Sequence, residues 1–369
     1  MTPTPPPASP RPNAERRHAE RLHAEYKVPG GKLLVVDVEI DGDSLSRVQL
    51  SGDFFLEPES ALEAIETALI GSPVTSGADT LTQRVQAALP AETQMVGLSV
   101  PAIATVVRRA LATTTDWRDH RFGLVHRDPE SPARHMALDE LLTREVAAGR
   151  RGPTLRVWEW DRAAIIIGVF QSLANEVDSE AAAAEGIEVV RRISGGGAMF
   201  VEPGNTITWS LIVPESLVQG LSFVESYAFL DDWVIQALGD MGINAWYVPI
   251  NDITSPGGKI AGAAQKRLDG AVLHHVTMAY DIDADKLTRV LRIGREKLSD
   301  KGTTSAGKRV DPLKRQTGLD RDTIIARMID SFAARFSLSS EPLTEAELAA
   351  ADALVETKFS RDDWTAKVP

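Results

Sequence analysis

The sequence predicts an α+β protein made of two folded units. Alternating, β-branched stretches typical of strands and amphipathic patterns typical of helices both occur in each half of the chain. At 369 residues, 43% of them apolar, the chain is long enough to bury two cores. A polar stretch at residues 113–120, which begins with three threonines, separates the two patterns and is predicted to be a linker.

Composition excludes several classes of protein. The formal net charge of −12 argues against nucleic acid as a partner, since such binding needs a clustered basic surface. No apolar run approaches the roughly 18 residues of a membrane helix, and the N-terminus lacks the apolar segment of a signal peptide, so we expect a cytoplasmic protein without membrane contact. The chain has no cysteine, which removes disulfides, thiolate metal sites and thiol nucleophiles.

The first half of the chain predicts a tail and a small α+β unit. Residues 1–27 are proline-rich and then charged, and are expected to be disordered or a frayed helix. In the unit at residues 28–112, the strands at 32–40 and 45–50 are joined by the hairpin signal Asp41-Gly42-Asp43. Its predicted helices span residues 60–70, 81–89 and 101–111.

The larger unit, residues 121–369, contains several helix signals. Ser131 is a predicted N-cap and Pro132 a first helical residue. Asp139 and Glu140 in that helix are interpreted as cap or surface charges. Further helices are predicted from the capping box at Ser222, around residues 324–332 and around 345–355.

The strands of the larger unit surround a run of three glycines. Residues 154–160 and 163–169 are predicted to pair, and residues 187–213 are predicted to form a central hairpin containing Gly195, Gly196 and Gly197. Such a run either turns the backbone tightly or lets a ligand approach closely. Of the two arginines before the run, Arg192 is expected to face a ligand and Arg191 to be structural, because neighbouring strand residues point to opposite faces.

A second pattern follows about 45 residues later. It reads NDI, then GGKIAGAAQKR, and then LHHVT. Together with RRISGGGAMF and HMALDELL, these blocks resemble the lipoate-protein ligase A family, whose blocks run RRxSGGGAVFHDxGN, NDxxxxxxKxxGxA, HHGT and NxALDExL. The order and the spacing agree from about Ala133 to Trp364. Three positions depart from the family pattern: Val201-Glu202, Val276 and Val169.

This resemblance implies a fold, a reaction and partners. The fold is the α+β biotin/lipoyl protein ligase fold with a mixed or antiparallel sheet, and the unit at residues 28–112 resembles the accessory domain of such ligases. The reaction is the ATP- and Mg²⁺-dependent activation of lipoate to lipoyl-adenylate. The lipoyl group then passes to a lysine of a lipoyl domain in a 2-oxoacid dehydrogenase acyltransferase subunit, or of a glycine cleavage H-like protein. We expect a monomer.

The resemblance also assigns site residues. Lys259 is the predicted catalytic charge, because a compact ammonium can contact both phosphate and acid oxygens, although an ordinary surface lysine is the alternative. Asp252 is either a Mg²⁺ ligand or a turn cap, and His275 is either a pocket residue or a satisfied core histidine. The implied ATP- and adenylate-binding set is Arg192, Gly195, Gly196, Gly197, Ala198, Met199, Phe200, Asn251, Asp252 and Lys259. The implied lipoate-binding set is Gly168, Phe170, Gln171, Gly262, Ala264, His275 and Thr277.

A basic segment near residue 300 also resembles a family motif, and three alternative functions remain open. Residues 291–310, which lie in a stretch with nine basic and three acidic residues, resemble the adenylate-binding loop and are expected to be mobile without ligand. An octanoyltransferase of the same superfamily takes its acyl group from acyl carrier protein, often through a cysteine that this chain lacks. A biotin ligase is disfavoured because its GRGRxGR loop is missing. A non-catalytic carrier-binding protein is the third alternative.

Overall fold

The computed structural model describes residues 20–112, 114–282, 289–292 and 310–368. The chain divides into two compact units, Met1–Leu111 and Ala112–Pro369. Most of the predicted adenylate-binding loop, and most of the predicted tail, lie outside the described residues. The assignment of the first unit as an accessory domain stays a prediction.

Within its described residues, the first unit contains two small antiparallel sheets and three helices. Its strands are β1 (Glu20–Lys27), β2 (Leu33–Asp41), β3 (Ser44–Gly52), β4 (Phe55–Glu57) and β5 (Gln94–Val96), and its helices are α1 (Ser60–Leu69), α2 (Ala78–Ala88) and α3 (Val100–Leu111). Strands β1, β2 and β3 pair in that order, and β4 pairs with β5. The predicted hairpin between β2 and β3 is confirmed, and so are the three predicted helices.

The expectation of disorder through Lys27 is wrong for the last eight residues of that segment. Residues 20–27 form β1, which pairs along its whole length with β2. Ala24 and Tyr26 on one face are buried, while the charged residues Arg21, Glu25 and Lys27 of the same strand are more exposed. The few apolar residues of this stretch are enough because the neighbouring strand supplies the hydrogen bonds and the core.

The larger unit is built on an eight-stranded mixed sheet, as the predicted fold class requires. The strands of the whole unit, which also has a smaller sheet, are β6 (Arg121–His126), β7 (Thr154–Trp158), β8 (Ala164–Ile167), β9 (Glu188–Arg191), β10 (Met199–Val201), β11 (Thr206–Pro214), β12 (Trp246–Val248), β13 (Asp252–Ser255), β14 (Gly258–Leu268), β15 (Ala271–Ala279) and β16 (Ser337–Ser340). The large sheet has the order β12-β13-β14-β15-β11-β7-β6-β16. Strand β6 is parallel to β7 and β16, and the other neighbours are antiparallel.

Two predicted strand pairs are wrong. Strands β7 and β8 lie in different sheets, because β8 is the centre of a separate three-stranded sheet with the order β10-β8-β9. Strand β9 is parallel to one edge of β8, and β10 is antiparallel to the other edge. The glycine run therefore carries the chain from one edge of β8 to the other, and the predicted central hairpin does not form.

Helices cover the sheets and include every helix predicted for this unit. They are α4 (Pro132–Ala147), α5 (Leu173–Glu176), α6 (Ser179–Ala184), α7 (Phe223–Asp240), α8 (Leu313–Thr317), α9 (Arg321–Arg335), α10 (Glu345–Leu354) and α11 (Asp362–Thr365). Ser131 caps α4 by accepting a hydrogen bond from the Arg134 backbone, and Ser222 and Glu225 form the predicted capping box of α7. In the described part of the chain, no helix is long and apolar enough to cross a membrane.

The interpretation of Asp139 and Glu140 as surface charges is wrong. Their exposed fractions are only 2% and 4%, because α4 lies between the large sheet and the C-terminal helices. The Glu140 carboxylate pairs with Arg144 at 2.9 Å and with Lys358 at 2.5 Å. Lys358 is distant in the sequence, so the covering of this helix face could not be read from the local pattern.

Candidate active site

A cavity of about 380 Å³ opens between the large sheet and the glycine run. Its lining changes from the mouth inward: Lys259 is 36% exposed, whereas Trp158 and Thr208 are 0% and 1% exposed. The wall between them consists mostly of small and apolar residues of β10, β14 and β15. The cavity therefore combines an exposed charge at Lys259 with buried walls at Trp158 and Thr208, a form that suits an acyl chain with a polar head.

The structure brings eleven of the predicted site residues to the cavity wall. These are Arg192, Gly197, Ala198, Met199, Phe200, Asn251, Lys259, Gly262, Ala264, His275 and Thr277. The other predicted residues, Gly168, Phe170, Gln171, Gly195, Gly196 and Asp252, are outside the lining set. The lining also includes residues that the sequence analysis missed: Trp158, Glu176, Thr208, Ile260, Ala261, Ala263, Ala279 and Ile282. Leu291, Arg292 and Val310, which line the cavity too, belong to the segment predicted to be the adenylate-binding loop.

Some of the missed residues had a signal in the sequence. Ala261 and Ala263 belong to the same strand as Gly262 and Ala264, and small side chains throughout a strand indicate that something must fit against it. Thr208 lies beside Thr277 across the sheet, with their hydroxyl oxygens 3.4 Å apart. Trp158 had no such signal, because an apolar strand residue is equally compatible with an ordinary core.

Lys259 is held at the mouth by an ion pair. Its ammonium lies 2.7 Å from Asp252 Oδ1. The ammonium thus contacts an oxygen of Asp252, the residue that the resemblance assigns to Mg²⁺. The described residues contain no group of three or more His, Cys, Asp or Glu that could hold a metal ion. The assignment of Asp252 to Mg²⁺ stays a prediction, because this ion is commonly held by one or two carboxylates together with substrate phosphates.

Arg192 is buried under the glycine run. Its guanidinium donates hydrogen bonds to the carbonyls of Gly195 at 2.5 Å and Gly197 at 2.9 Å, to the Ile166 carbonyl and to the Ser194 hydroxyl. Burial lowers the pKa of Arg192 to about 10. Arg192 therefore lines the cavity, but most of its N–H groups donate hydrogen bonds to the loop. Its contact with a ligand stays a prediction.

Arg191 points away from the cavity and fastens two other segments. It donates to the carbonyls of Gly168 and Gln171 on one side and to Thr365 on the other. The expected structural position of this residue agrees with these contacts. Its side chain explains why the 168–171 loop is fixed although Phe170 itself is 81% exposed.

His275 lies within a chain of buried polar side chains. Its Nδ1 is 2.8 Å from Asp139 Oδ2, and its Nε2 is 2.7 Å from Ser194 Oγ. The spacing resembles a serine–histidine–aspartate triad. However, Ser194 is fully buried and is outside the cavity lining, so the three residues organise the site and do not present a nucleophile.

Buried histidines make a pH effect on stability predictable. Burial lowers the pKa of His275 and of His120, and it lowers that of His135 well below the ordinary 6.5. The unfolded chain binds protons near the ordinary value, so it carries more protons than the folded chain below about pH 6.5. We expect the free energy of unfolding to be constant near pH 7.5 and to fall on acidification, by up to about 1.4 kcal/mol per pH unit for each histidine.

Urea unfolding between pH 7.5 and 5.5 tests this expectation. All seven tryptophans lie in the larger unit, so their fluorescence follows that unit alone. His275→Gln should reduce the pH slope, because glutamine does not titrate. A wild-type free energy that is the same at both ends of the range would contradict the expectation.

Known structures and sequences agree with this architecture. One similar structure is from work on the bi-partite lipoate protein ligase of Thermoplasma acidophilum and its E2 lipoyl domain. It has a TM-score of 0.59 and 27% identity, and the match covers 68% of this chain and 97% of that one. The fold and its cavity thus define an enzyme of the lipoate ligase and transferase superfamily. Residues 131–336, more than half of the chain, match the lipoyl protein ligase A/B catalytic domain, and the chain belongs to that family.

Similar sequences correct the predicted reaction. Octanoyltransferase LipM of an Exiguobacterium species is 32% identical over 69% of this chain and 99% of its own length. Octanoyltransferase LipM of Symbiobacterium thermophilum is 30% identical over 68% and 98%. The prediction of an ATP-dependent lipoate ligase is contradicted by these relatives. The motif blocks identified the family but did not separate ligation from transfer.

Proposed function

We propose that this protein transfers an octanoyl group from a carrier thioester to a lysine of a lipoyl-domain acceptor. The observation that carries the proposal is the cavity itself, which is buried at Trp158 and Thr208, lined mostly by small and apolar residues, and charged at Lys259. A saturated eight-carbon chain needs an apolar sleeve, while its carbonyl needs a cation or hydrogen-bond donors at the mouth. The names of the relatives support the acyl group, and the lipoyl domain named with the archaeal ligase supports the acceptor.

The transfer proceeds directly, because the chain has no cysteine to carry an acyl-thioester. The neutral amine of the acceptor lysine attacks the thioester carbonyl and forms a tetrahedral intermediate. The carbon–sulfur bond then breaks, an amide remains, and the surplus proton of the amine goes to the departing thiolate. The enzyme contributes position and fixed positive charge and forms no covalent bond.

Two parts of the site can stabilise the intermediate. The Lys259 ammonium, oriented by Asp252, lies at the mouth where the carbonyl is expected. The second part is the backbone of the glycine run. Because Arg192 holds the carbonyl of Gly197, the N–H group in the same peptide plane, that of Ala198, points away from the guanidinium. It is not bonded to a backbone carbonyl within the described ranges, and Ala198 lines the cavity, so we assign this N–H group to the developing oxyanion.

A reconstituted reaction tests the proposal. The full chain is mixed with octanoyl-loaded acyl carrier protein and a lipoyl domain, without any nucleotide. Intact mass of the acceptor should increase by one octanoyl group, and an acceptor with arginine in place of its lysine should stay unmodified. Transfer that occurs only after ATP is added would overturn the proposal.

The absence of thiols gives a second expected result. Treatment of the enzyme with N-ethylmaleimide, removed before the assay, should leave the initial rate unchanged, because there is no thiol to alkylate. Rates measured over both substrates should follow a sequential pattern, since both must be bound together. A ping-pong pattern with an acylated enzyme would contradict direct transfer.

A further inference from the structure

A continuous line of buried side chains connects helix α4 to the glycine run. Asp139 of α4 contacts His275 of β15, His275 contacts Ser194, and Ser194 Oγ is 2.9 Å from Arg192 Nε. None of the four is more than 7% exposed. Arg192 then holds the carbonyls of Gly195 and Gly197. The line therefore ends on the peptides of the loop beside the cavity.

The direction of each hydrogen bond in this line is fixed by Asp139. Its Oδ1 accepts from Arg156 Nη1 at 3.0 Å and from Ser210 Oγ at 2.7 Å, so the residue is a carboxylate beside a buried guanidinium. A carboxylate can only accept hydrogen bonds, so His275 carries its proton on Nδ1. Its Nε2 is then an acceptor, and the Ser194 hydroxyl must donate to it.

The hydrogen bond between Ser194 and Arg192 is fixed by the same count of donors and acceptors. Once the Ser194 proton points to His275, the lone pairs of Ser194 Oγ are available to Arg192 Nε. Burial also favours the neutral form of His275 by lowering its pKa, which leaves Nε2 free of a proton. One ordered arrangement thus satisfies every member, and such fully satisfied networks are rigid.

We propose that Asp139 is a positioning residue that, through His275, Ser194 and Arg192, sets the glycine run so that the N–H group of Ala198 at its end faces the acyl carbonyl. This inference rests on the proposed acyl transfer and names residues that serve it without contacting the substrate. Asp139 acts on the transition state only through the loop. Its loss should therefore lower kcat and leave KM for the acyl donor within about twofold.

Asp139→Asn tests the inference with almost no change in volume. Arg156 and Ser210 are both donors, so the amide oxygen must take the place of Oδ1 and the amide NH₂ must face His275. His275 Nδ1 then becomes an acceptor and its proton moves to Nε2, so the Ser194 hydroxyl loses its acceptor. We expect kcat to fall by roughly ten- to a hundredfold, as for a small misplacement of a catalytic group.

Three measurements separate positioning from simple destabilisation. Nitrogen-15 NMR of labelled histidine should report the Nδ1–H tautomer of His275 in the wild type and the Nε2–H tautomer in Asp139→Asn. The Asp139→Asn/Ser194→Ala double variant should be no slower than the slower single variant, because both changes break one line. Ser210→Ala, which removes a bond to Oδ1 and the bond that Ser210 Oγ accepts from Trp158 Nε1, should cost comparable stability but leave the tautomer unchanged.

The outcomes distinguish this inference from the proposed function. Additive losses in the double variant, or an unchanged tautomer in Asp139→Asn, would overturn the positioning line in an enzyme that still transfers octanoyl groups. A wild-type protein inactive with the octanoyl carrier would overturn the transferase proposal instead. In that case, the expected tautomer change would still support the connection between Asp139 and the loop.

Discussion

Replacing Lys259 with alanine is expected to slow octanoyl transfer by on the order of a hundred- to a thousandfold, equivalent to about 3 to 4 kcal/mol of transition-state stabilisation. The residue lies at the mouth of the cavity and is 36% exposed, so little packing is lost when it is shortened. What disappears is a fixed positive charge beside the oxygen that becomes negative during the attack. Single-turnover rates with octanoyl carrier and lipoyl domain measure the effect directly.

A matched control distinguishes this charge from a general loss of lysine. Lys266 belongs to the same strand β14 but lies outside the cavity lining, so Lys266→Ala should transfer at close to the wild-type rate. Lys259→Met would keep the length of the side chain without its charge, and should be as slow as the alanine variant. If Lys259→Ala retained most of the wild-type rate, Lys259 would have no part in the chemistry.

The second large effect concerns Gly168. A Cβ atom at this position would lie 2.3 Å from the backbone oxygen of Gly196, far inside van der Waals contact. Gly168→Ala must therefore push the 168–171 loop and the glycine run apart. We expect transfer to slow by about a hundredfold, because the loop N–H groups are displaced, and the free energy of unfolding to fall by about 1 to 3 kcal/mol from overpacking.

The same chemical change at another glycine is the control. A Cβ atom at Gly239, near the end of α7, would meet nothing within 4 Å. Gly239→Ala should therefore keep full activity and gain up to about 1 kcal/mol of stability from helix propensity. The idea that the two loops must touch would fail if Gly168→Ala were as active and as stable as Gly239→Ala.

Much of the fold was predictable because its signals are local. Ser131 and Ser222 marked the starts of α4 and α7, and the hairpin of β2 and β3 followed from Asp41-Gly42-Asp43. Eleven of the residues that the motif blocks single out lie on the cavity wall, and their roles there stay predictions. The same blocks led to ligation, which the octanoyltransferase relatives contradict.

The sequence by itself determined the family, the helices with strong local signals and the lack of a cysteine nucleophile, since each depends on residue type or on the spacing of neighbours. Only the tertiary structure decided which strands share a sheet. Strands β7 and β8 lie in different sheets, and the glycine run carries the chain from one edge of β8 to the other instead of closing a hairpin. It also decided that Asp139 is buried and joined to His275 across 136 positions. Backbone pairing groups are the same in every strand, and partners are chosen by burial of faces that distant segments cover, which no local pattern records.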